Sequence, residues 1–369
     1  MNLVKEVYDY MGMTLWRKTS NALQVAATIL CFAKVYMRTA TVFSIVSLGG
    51  ATLYYVSKRR IKLKPSDLVV ITGCNSGLGY SLALHCRAQG ATVLAGVRDT
   101  VVEKICPGIE SLKAKGIITH DVDITNEESV QEFVNKVKEL LEERQLVLRA
   151  LVNNAGVMIF GEFEWQMQSL AEYQVNINVL GTLRMTRQLM PMIRRDSSRI
   201  IVVSSHCSAE PLPGISIYAA TKAALDAWAT ALRTEVGKYG VSVVSFIPGG
   251  FVSQSNIMKR QRRHFEEMAV YISYEAKQFY GDYFTRYCKY FSDLQSDKDE
   301  VTVLSNVKIY ETFDSALLEV YPSPIYRCET WKYFFYRILF KTTPTCIRDR
   351  LTQRFVNPPS WHVTYNNNI

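Results

Sequence analysis

The stretch Val70-Ile-Thr-Gly-Cys-Asn-Ser-Gly-Leu-Gly-Tyr80 constrains the fold more than any other in this chain. An apolar run that reads as a buried strand, Leu68 to Ile71, leads into Gly73, Gly77 and Gly79, and a helical pattern from Gly79 to Gln89 leads out. Glycines at such a turn let the backbone approach an anion at the helix N-terminus, where unpaired N–H groups and the positive end of the dipole lie. The spacing is G-x-x-x-G-x-G rather than the more familiar G-x-G-x-x-G. By itself the motif therefore reads either as a nucleotide cradle or as a plain strand-to-helix turn.

Downstream segments extend the strand-helix pattern. Thr92 to Ala95, Leu148 to Val152, Ile200 to Ser204 and Val241 to Ile247 are apolar strands, and Ile117-Ile118 leads toward Asp121. Glu127 to Glu143 is an amphipathic helix that Thr125 would cap, with Glu128 three residues on. Alternating strands and helices predict an α/β fold with a parallel sheet covered on both faces. A composition of 48% hydrophobic and 21% charged residues over 369 residues excludes disorder and fits one large domain or two moderate ones.

The first 66 residues read differently. Thr39 to Ser57 carries no charge, and at ~1.5 Å per residue it is long enough to cross a bilayer. Asn21 to Ala33 is uncharged but short. Together they allow a hairpin, a span plus an interfacial helix, or one tilted anchor; a buried helix and a mitochondrial targeting sequence are the alternatives, the latter opposed by Glu6 and Asp9. Lys58, Arg59, Arg60, Lys62 and Lys64 follow the longer run, whereas Lys34 and Arg38 precede it, which places the downstream domain in the cytosol. The net charge of +9 is thus partly a membrane-side cluster. The expected organisation is an anchor region over 1–66, a catalytic domain over 67–355 whose part 251–355 is a substrate lid and C-terminal extension, and a tail over 356–369.

Eight cysteines are widely spread, with no C-x-x-C pair and no histidine at ligand spacing, so no metal site is expected. They suit reduced, buried thiols.

Three features carry chemistry. The second strand ends in Gly96-Val97-Arg98-Asp99, where a carboxylate would accept from a ribose 2′-hydroxyl and an arginine would suit a 2′-phosphate; a solvated ion pair is the plainer reading. Tyr218 and Lys222 lie four apart, on one face of a helix, and the ammonium is expected to lower the phenol's pKa and make Tyr218 a general acid/base. Ser205, at a strand end, would hydrogen-bond a substrate oxygen as charge develops.

Thr72-Gly-Cys-Asn-Ser-Gly-Leu-Gly79, Asp123-Ile124, Asn153-Asn-Ala-Gly156, Asn178, Ser205, Tyr218-x-x-x-Lys222 and Pro248-Gly249 follow the order and spacing of the short-chain dehydrogenase/reductase family, which the chain resembles strongly from Asp67 to Val252. Phe160-Gly-Glu-Phe163, Asn178 to Thr186, Met190 to Arg195 and Pro248-Gly-Gly-Phe251 look like its retinol and hydroxysteroid dehydrogenase branch, which also includes hydroxybutyrate dehydrogenase. Tyr321-Pro-x-Pro-x-Tyr-Arg327, Trp331 and Arg337 extend the likeness toward Leu351.

The resemblance implies a Rossmann-type doubly wound parallel sheet flanked by helices, with NAD or NADP as cofactor. In it Tyr218 exchanges the proton with the substrate oxygen, Lys222 holds the nicotinamide ribose, Ser205 orients the carbonyl or hydroxyl, and Asn178 supports a water-linked proton path. Thr72, Gly73, Asn75, Ser76, Gly77, Leu78 and Gly79 form the pyrophosphate cradle, Asp123 and Ile124 flank adenine, Asn153, Asn154, Ala155 and Gly156 line the cleft, and Pro248 and Gly249 border the nicotinamide. Arg98 falls where relatives using NADP carry arginine and Asp99 lies two beyond the usual carboxylate, so the reading leans to NADP. His206-Cys207-Ser208 departs from the branch, and His206 reads more readily as a solvent-facing loop residue than as a substrate contact. Ser253 replaces a common threonine and keeps the hydroxyl.

Beyond Phe251 come Lys259, Arg260, Arg262 and Arg263, then Tyr271, Tyr274, Phe279, Tyr280, Tyr283, Phe284, Tyr287, Tyr290 and Phe291. As a lid these aromatics imply a bulky, flat, apolar substrate such as a steroid, sterol or retinoid; as a helical stripe (Tyr280, Phe284, Tyr287, Phe291) they more often form core. The basic run is either a solvated face or a contact to anionic lipid, and nucleic acid is not expected. The expectation is a membrane-anchored oxidoreductase of the endoplasmic reticulum, with a mitochondrial site as alternative, acting on a steroid or sterol alcohol or ketone, able to form homodimers as many relatives do. A cofactor-binding membrane sensor or scaffold without turnover is the rival from another class.

Overall fold

The structure is a computed structural model that describes residues 6, 23–37, 39, 41–50, 58–98, 107–249, 256–293, 301–356 and 358–361. Asp99, Phe251 and Ser253 lie outside the described residues, as do residues 51–57 of the longer N-terminal apolar run. The chain divides into two units, Met1–Arg59 and Arg60–Ile369. Among its described residues the first contains one apolar helix long enough to cross a bilayer, α1, Leu23–Gly50. Its leucine, valine, isoleucine and phenylalanine side chains are exposed throughout.

The second unit begins with β1 (Asp67–Thr72), α2 (Gly77–Ala88), β2 (Thr92–Val97), α3 (Pro107–Ala114), β3 (Ile118–Asp121), α4 (Glu127–Glu143) and β4 (Val147–Asn153). It continues with α5 (Gln168–Val175), α6 (Thr182–Arg195), β5 (Arg199–Val203), α7 (Ser216–Val236) and β6 (Ser242–Ile247). The C-terminal part adds α8 (Gln261–Tyr271), α9 (Tyr274–Tyr280), α10 (Asp282–Asp293), α11 (Val307–Leu318), β7 (Ile325–Arg327), α12 (Trp331–Thr342) and α13 (Thr345–Val356). Among the described residues seven strands form one sheet in the order β3-β2-β1-β4-β5-β6-β7. Every pairing is parallel.

Buried on both sides, the strands are apolar at consecutive positions and not only at alternate ones. Along β1, Val69 and Ile71 face a core built with Leu82 and Cys86 of α2 and Phe313 and Leu317 of α11. Leu68 and Val70 face the other, built with Phe133 and Val137 of α4, Leu189 of α6 and Leu225 of α7. The chain order reverses between β1 and β4, which opens a crevice at the carboxyl ends of these two strands.

Two expectations change in detail. Asn126, not Thr125, caps α4, accepting from the Ser129 N–H at 2.9 Å. Thr125 is already committed: its hydroxyl donates to Asp123 Oδ1 at 2.6 Å. The aromatic stripe Tyr283, Tyr287 and Phe291 is core, gathered with Phe284 and Tyr280 about the fully buried Trp165. Gly281 separates α9 from α10 within it, and Phe291 stacks on Phe160 with centroids 4.6 Å apart. Tyr280, Tyr283, Tyr287 and Phe291 pack against one another and Trp165 and do not line the cavity described below.

Candidate active site

Six of the motif positions stand at or just beyond strand ends, while Tyr218 and Lys222 lie on α7 and Asn178 in the stretch before α6. Gly73 follows β1, Arg98 follows β2, Asp123 closely follows β3, Asn154 follows β4, Ser205 closely follows β5 and Pro248 follows β6. Parallel strands bring all these ends to one edge of the sheet. They meet around one cavity of about 510 Å³.

At one end lies the glycine turn. Gly73 has φ +72° and a Cβ there would sit 2.8 Å from the Ala155 Cα, so this residue lets two loops touch. Ser76 heads α2 without capping it by its side chain. That leaves backbone N–H groups and the positive end of α2 facing the turn, which fits a pyrophosphate. Asn75 fixes the turn to the second strand, accepting from the Arg98 N–H at 2.8 Å and donating to the Arg98 carbonyl at 2.9 Å. The Arg98 guanidinium then reaches Asp123, 2.8 Å away, with 44% of the arginine side chain exposed. Desolvation would raise the Asp123 pKa, but hydrogen bonds from Thr125 and the charges of Arg98 and Arg184 outweigh it and hold the carboxyl below its ordinary range.

Ser205, Tyr218 and Lys222 line the same cavity. Lys222 is buried, donates to the Val203 carbonyl at 2.8 Å and lies 5.8 Å from the centroid of the Tyr218 ring. Burial pushes the ammonium down to about 8, against the opposing charges of Asp226 and Cys207. The Tyr218 pKa moves opposite to the expectation from its neighbour. Burial raises it, Cys207 adds to the rise, and a hydrogen bond to Ser205 opposes it. Desolvation of the phenolate wins because Lys222 directs its Nζ to Val203 and not to the phenol oxygen. Ser205 Oγ also accepts from the Cys207 N–H at 3.2 Å.

Gly73, Asn75, Ser76, Gly77, Leu78, Arg98, Asp123, Ile124, Asn154, Ala155, Gly156, Pro248 and Gly249 line the cavity with this trio. Thr72, Gly79, Asn153 and Asn178 do not line it; they stand behind the wall. Thr72 Oγ1 accepts from the N–H groups of Asn154 and Ala155, each at 3.1 Å. Asn154 donates to the Thr72 and Gly73 carbonyls at 2.9 and 3.0 Å, and Asn153 donates to Thr186. Asn178 lies in a π-helical stretch, Asn176–Gly181, between α5 and α6. Its carboxamide pairs with both backbone groups of Val157 at 2.8 and 2.9 Å and donates to the Thr221 hydroxyl at 3.0 Å. Thr221 in turn donates to the Tyr218 carbonyl at 2.7 Å, so Asn178 ties the loop after β4 to the turn of α7 that carries Tyr218.

The far wall is less visible in the sequence. Tyr333, Tyr336, Arg337 and Phe340 of α12 and Phe355 of α13 close the cavity, with Ile257, Lys259, Arg260 and His264 from the segment entering α8. The aromatic density of Trp331–Thr342 is the signal that marks this wall. His206 also differs from the solvent-facing expectation. Its side chain is only 14% exposed and stacks on Tyr333 with centroids 5.2 Å apart. Among the described residues no His/Cys/Asp/Glu group can hold a metal. The cradle, the cleft-lining backbone and the buried lysine together fit a nicotinamide dinucleotide.

Comparison with known proteins agrees with this geometry. The family described as short chain dehydrogenase matches residues 67–264. Estradiol 17-beta-dehydrogenase 2 of Mus musculus is 36% identical over 56% of this chain and 54% of its own, and that of Rattus norvegicus is 30% identical over 73% of each. D-beta-hydroxybutyrate dehydrogenase, mitochondrial, of Rattus norvegicus is 32% identical over 53% of this chain and 57% of its own. Retinol dehydrogenase 7 of Mus musculus is 28% identical over 65% of this chain and 74% of its own. The match thus spans little more than half of the mouse estradiol enzyme and of the hydroxybutyrate enzyme. With a family match across the sheet and the motifs in place at its edge, the chain belongs to the short-chain dehydrogenase family, whose members are NAD(P)-dependent oxidoreductases acting on CH–OH groups.

Proposed function

We propose that this chain is an NAD(P)-dependent oxidoreductase, leaning to NADP, that interconverts a hydroxyl and a carbonyl on a lipophilic substrate, a steroid or sterol. The observation that carries the reading is the convergence of Ser205, Tyr218 and Lys222 on the cavity that also holds the glycine turn. The bound nicotinamide supplies or accepts the hydride, and the protein supplies position and the proton. Ser205 and the Tyr218 hydroxyl would hold the substrate oxygen, Tyr218 would give or take its proton, and Lys222 would bind the ribose. Asn178 holds the Val157 backbone and α7 in register for this, the place from which it would support a water-linked proton path. Arg98 supports NADP: its pairing with Asp123 is partly exposed, so the guanidinium can turn to a 2′-phosphate.

Aromatic and aliphatic residues dominate the far wall, with Phe160, Leu212, Tyr333, Tyr336, Phe340 and Phe355, which supports a bulky apolar substrate. Helix α1, 28 residues long and fully exposed, supports a membrane anchor. The outer side of α12 is apolar as well, with Trp331, Phe335, Ile338 and Leu339 exposed, and it supports contact of the catalytic unit with a bilayer. On this reading residues 1–66 anchor a catalytic domain of residues 67–355 to the cytosolic face of the endoplasmic reticulum. The purified full chain in detergent micelles is expected to oxidise NADPH with a ketosteroid, and Tyr218→Phe to lower kcat at least about 10³-fold while leaving nucleotide binding intact. Turnover surviving that substitution refutes the mechanism, and activity on retinal with none on any steroid moves the substrate to the retinoids.

A further inference from the structure

Helix α12 turns large side chains to two opposite sides. At about 100° per residue, Tyr333, Tyr336, Arg337 and Phe340 fall together, on the side that lines the cavity. Trp331, Phe335, Ile338 and Leu339, spaced i, i+4, i+7 and i+8, fall on the other side, and all four are exposed. A helix packed on a water-soluble unit ordinarily keeps its apolar stripe inward and turns polar groups to water. Here the outer face presents Trp331, 73% exposed, and Phe335, 59% exposed, with their rings 6.4 Å apart. A contiguous exposed patch of this kind marks a docking surface.

Charge decides what docks there. From Trp331 to Val356 the chain carries Lys332, Arg337, Lys341, Arg348, Arg350 and Arg354 against one acid, Asp349. Arg337 is turned inward to Glu329 at 2.9 Å, whereas Lys341, Arg350 and Arg354 are exposed. A second copy of the chain meeting this face with its own would bring like charge against like charge. An anionic lipid surface brings the opposite sign, and its interfacial layer is where tryptophan is favoured. The same chain carries α1, long and apolar enough to cross a bilayer.

We propose that α12 lies in the interface of an anionic bilayer as the wall between lipid and cavity, and that the substrate enters the cavity from the bilayer past this helix. The inference rests on the oxidoreductase reading and deepens it by naming the phase that delivers the substrate. A helix with its side chains is about 10–12 Å across, so a substrate dissolved among acyl chains has only that width to pass and need not enter water.

The test places the full chain in vesicles of phosphatidylcholine with about one-fifth phosphatidylserine, some of the acyl chains brominated near the headgroup. The difference in tryptophan emission between wild type and Trp331→Phe isolates Trp331, which bromine is expected to quench by about half or more. Lys341→Glu/Arg350→Glu/Arg354→Glu, at exposed positions only, should lose most of that quenching. Phe335→Ser/Ile338→Ser/Leu339→Ser should lose it too and raise the KM for a ketosteroid dissolved in the vesicles about tenfold, leaving kcat and NADPH affinity within about twofold. An unquenched Trp331 in wild type overturns the docking. If the serine variant instead lowers the oligomeric state while Trp331 stays unquenched, the face is a contact between copies and the proposal falls. Quenching with an unchanged KM in the serine variant overturns the entry path. Because quenching is read without substrate, absence of turnover with every ketosteroid overturns the oxidoreductase reading and the entry path, while the quenching still decides the docking.

Discussion

Replacing Lys222 by methionine removes a buried ammonium while keeping an unbranched side chain of similar length. The fall of its pKa from the ordinary 10.5 to about 8 means that the charged form costs the folded chain about 3 kcal/mol, at about 1.4 kcal/mol per pKa unit. Against this, the Val203 carbonyl loses a donor now 2.8 Å away, a loss of about 1–2 kcal/mol. Lys222→Met is therefore expected to stabilise the nucleotide-free protein at pH 7 by about 1–2 kcal/mol, or roughly 2–4 °C in Tm for a unit of this size. The sign depends on pH. Below about pH 8 both folded and unfolded chains carry the proton and the full penalty is present. Between pH 8 and 10.5 the folded chain releases it first, so wild type gains stability and the variant's advantage closes near pH 10. Thermal unfolding of both proteins at pH 7 and pH 10, with turnover measured alongside, gives the comparison. The variant should be more stable at pH 7 and nearly inactive. If it is destabilised equally at both pH values, the buried ammonium carries no such penalty and the argument fails.

Arg98→Leu should weaken NADP binding about 10–100-fold and leave NAD nearly unchanged, as read by fluorescence titration; equal affinity of wild type for the two cofactors would refute the role given to Arg98. Gly79→Ala places a Cβ 2.3 Å from the Gly73 carbonyl oxygen and 2.4 Å from Asn154 Nδ2. The backbone there must move, so nucleotide affinity should fall at least about tenfold and Tm by several degrees; an unchanged titration would show that the turn tolerates the shift.

The half of the candidate site around the glycine turn was legible in the sequence because local chain geometry builds it. A strand, a glycine turn and a helix start within eleven residues, and only side chains that leave room satisfy them; Gly73 and Gly79 each face backbone where a Cβ would stand. Tyr218 and Lys222 share a helix face for the same local reason, the four-residue spacing. Parallel strands then do much of the assembly, since the glycine turn, Arg98, Asp123, Asn154, Ser205 and Pro248 follow strand ends and all such ends share an edge. None of this requires knowing which distant segments touch.

The substrate half depends on contacts that sequence spacing does not encode. Tyr283, Tyr287 and Phe291 had the composition of a lid, yet Trp165, more than a hundred positions earlier, draws them into a core. The far wall of the cavity comes instead from α12 and α13, and His206 is turned inward by Tyr333 and Glu329, which lie over a hundred residues downstream. Tyr218 makes the same point within the proposed catalytic trio. Spacing puts a lysine beside it, but the direction of its pKa follows from burial and from Val203 taking the Lys222 proton donor, neither of which is a property of the motif. The motif thus places the groups, while the packed surroundings set their charge states. Burial holds the phenol protonated in the protein itself, so on the proposed mechanism a change in those surroundings, and not the motif alone, would have to lower its pKa before it could release a proton.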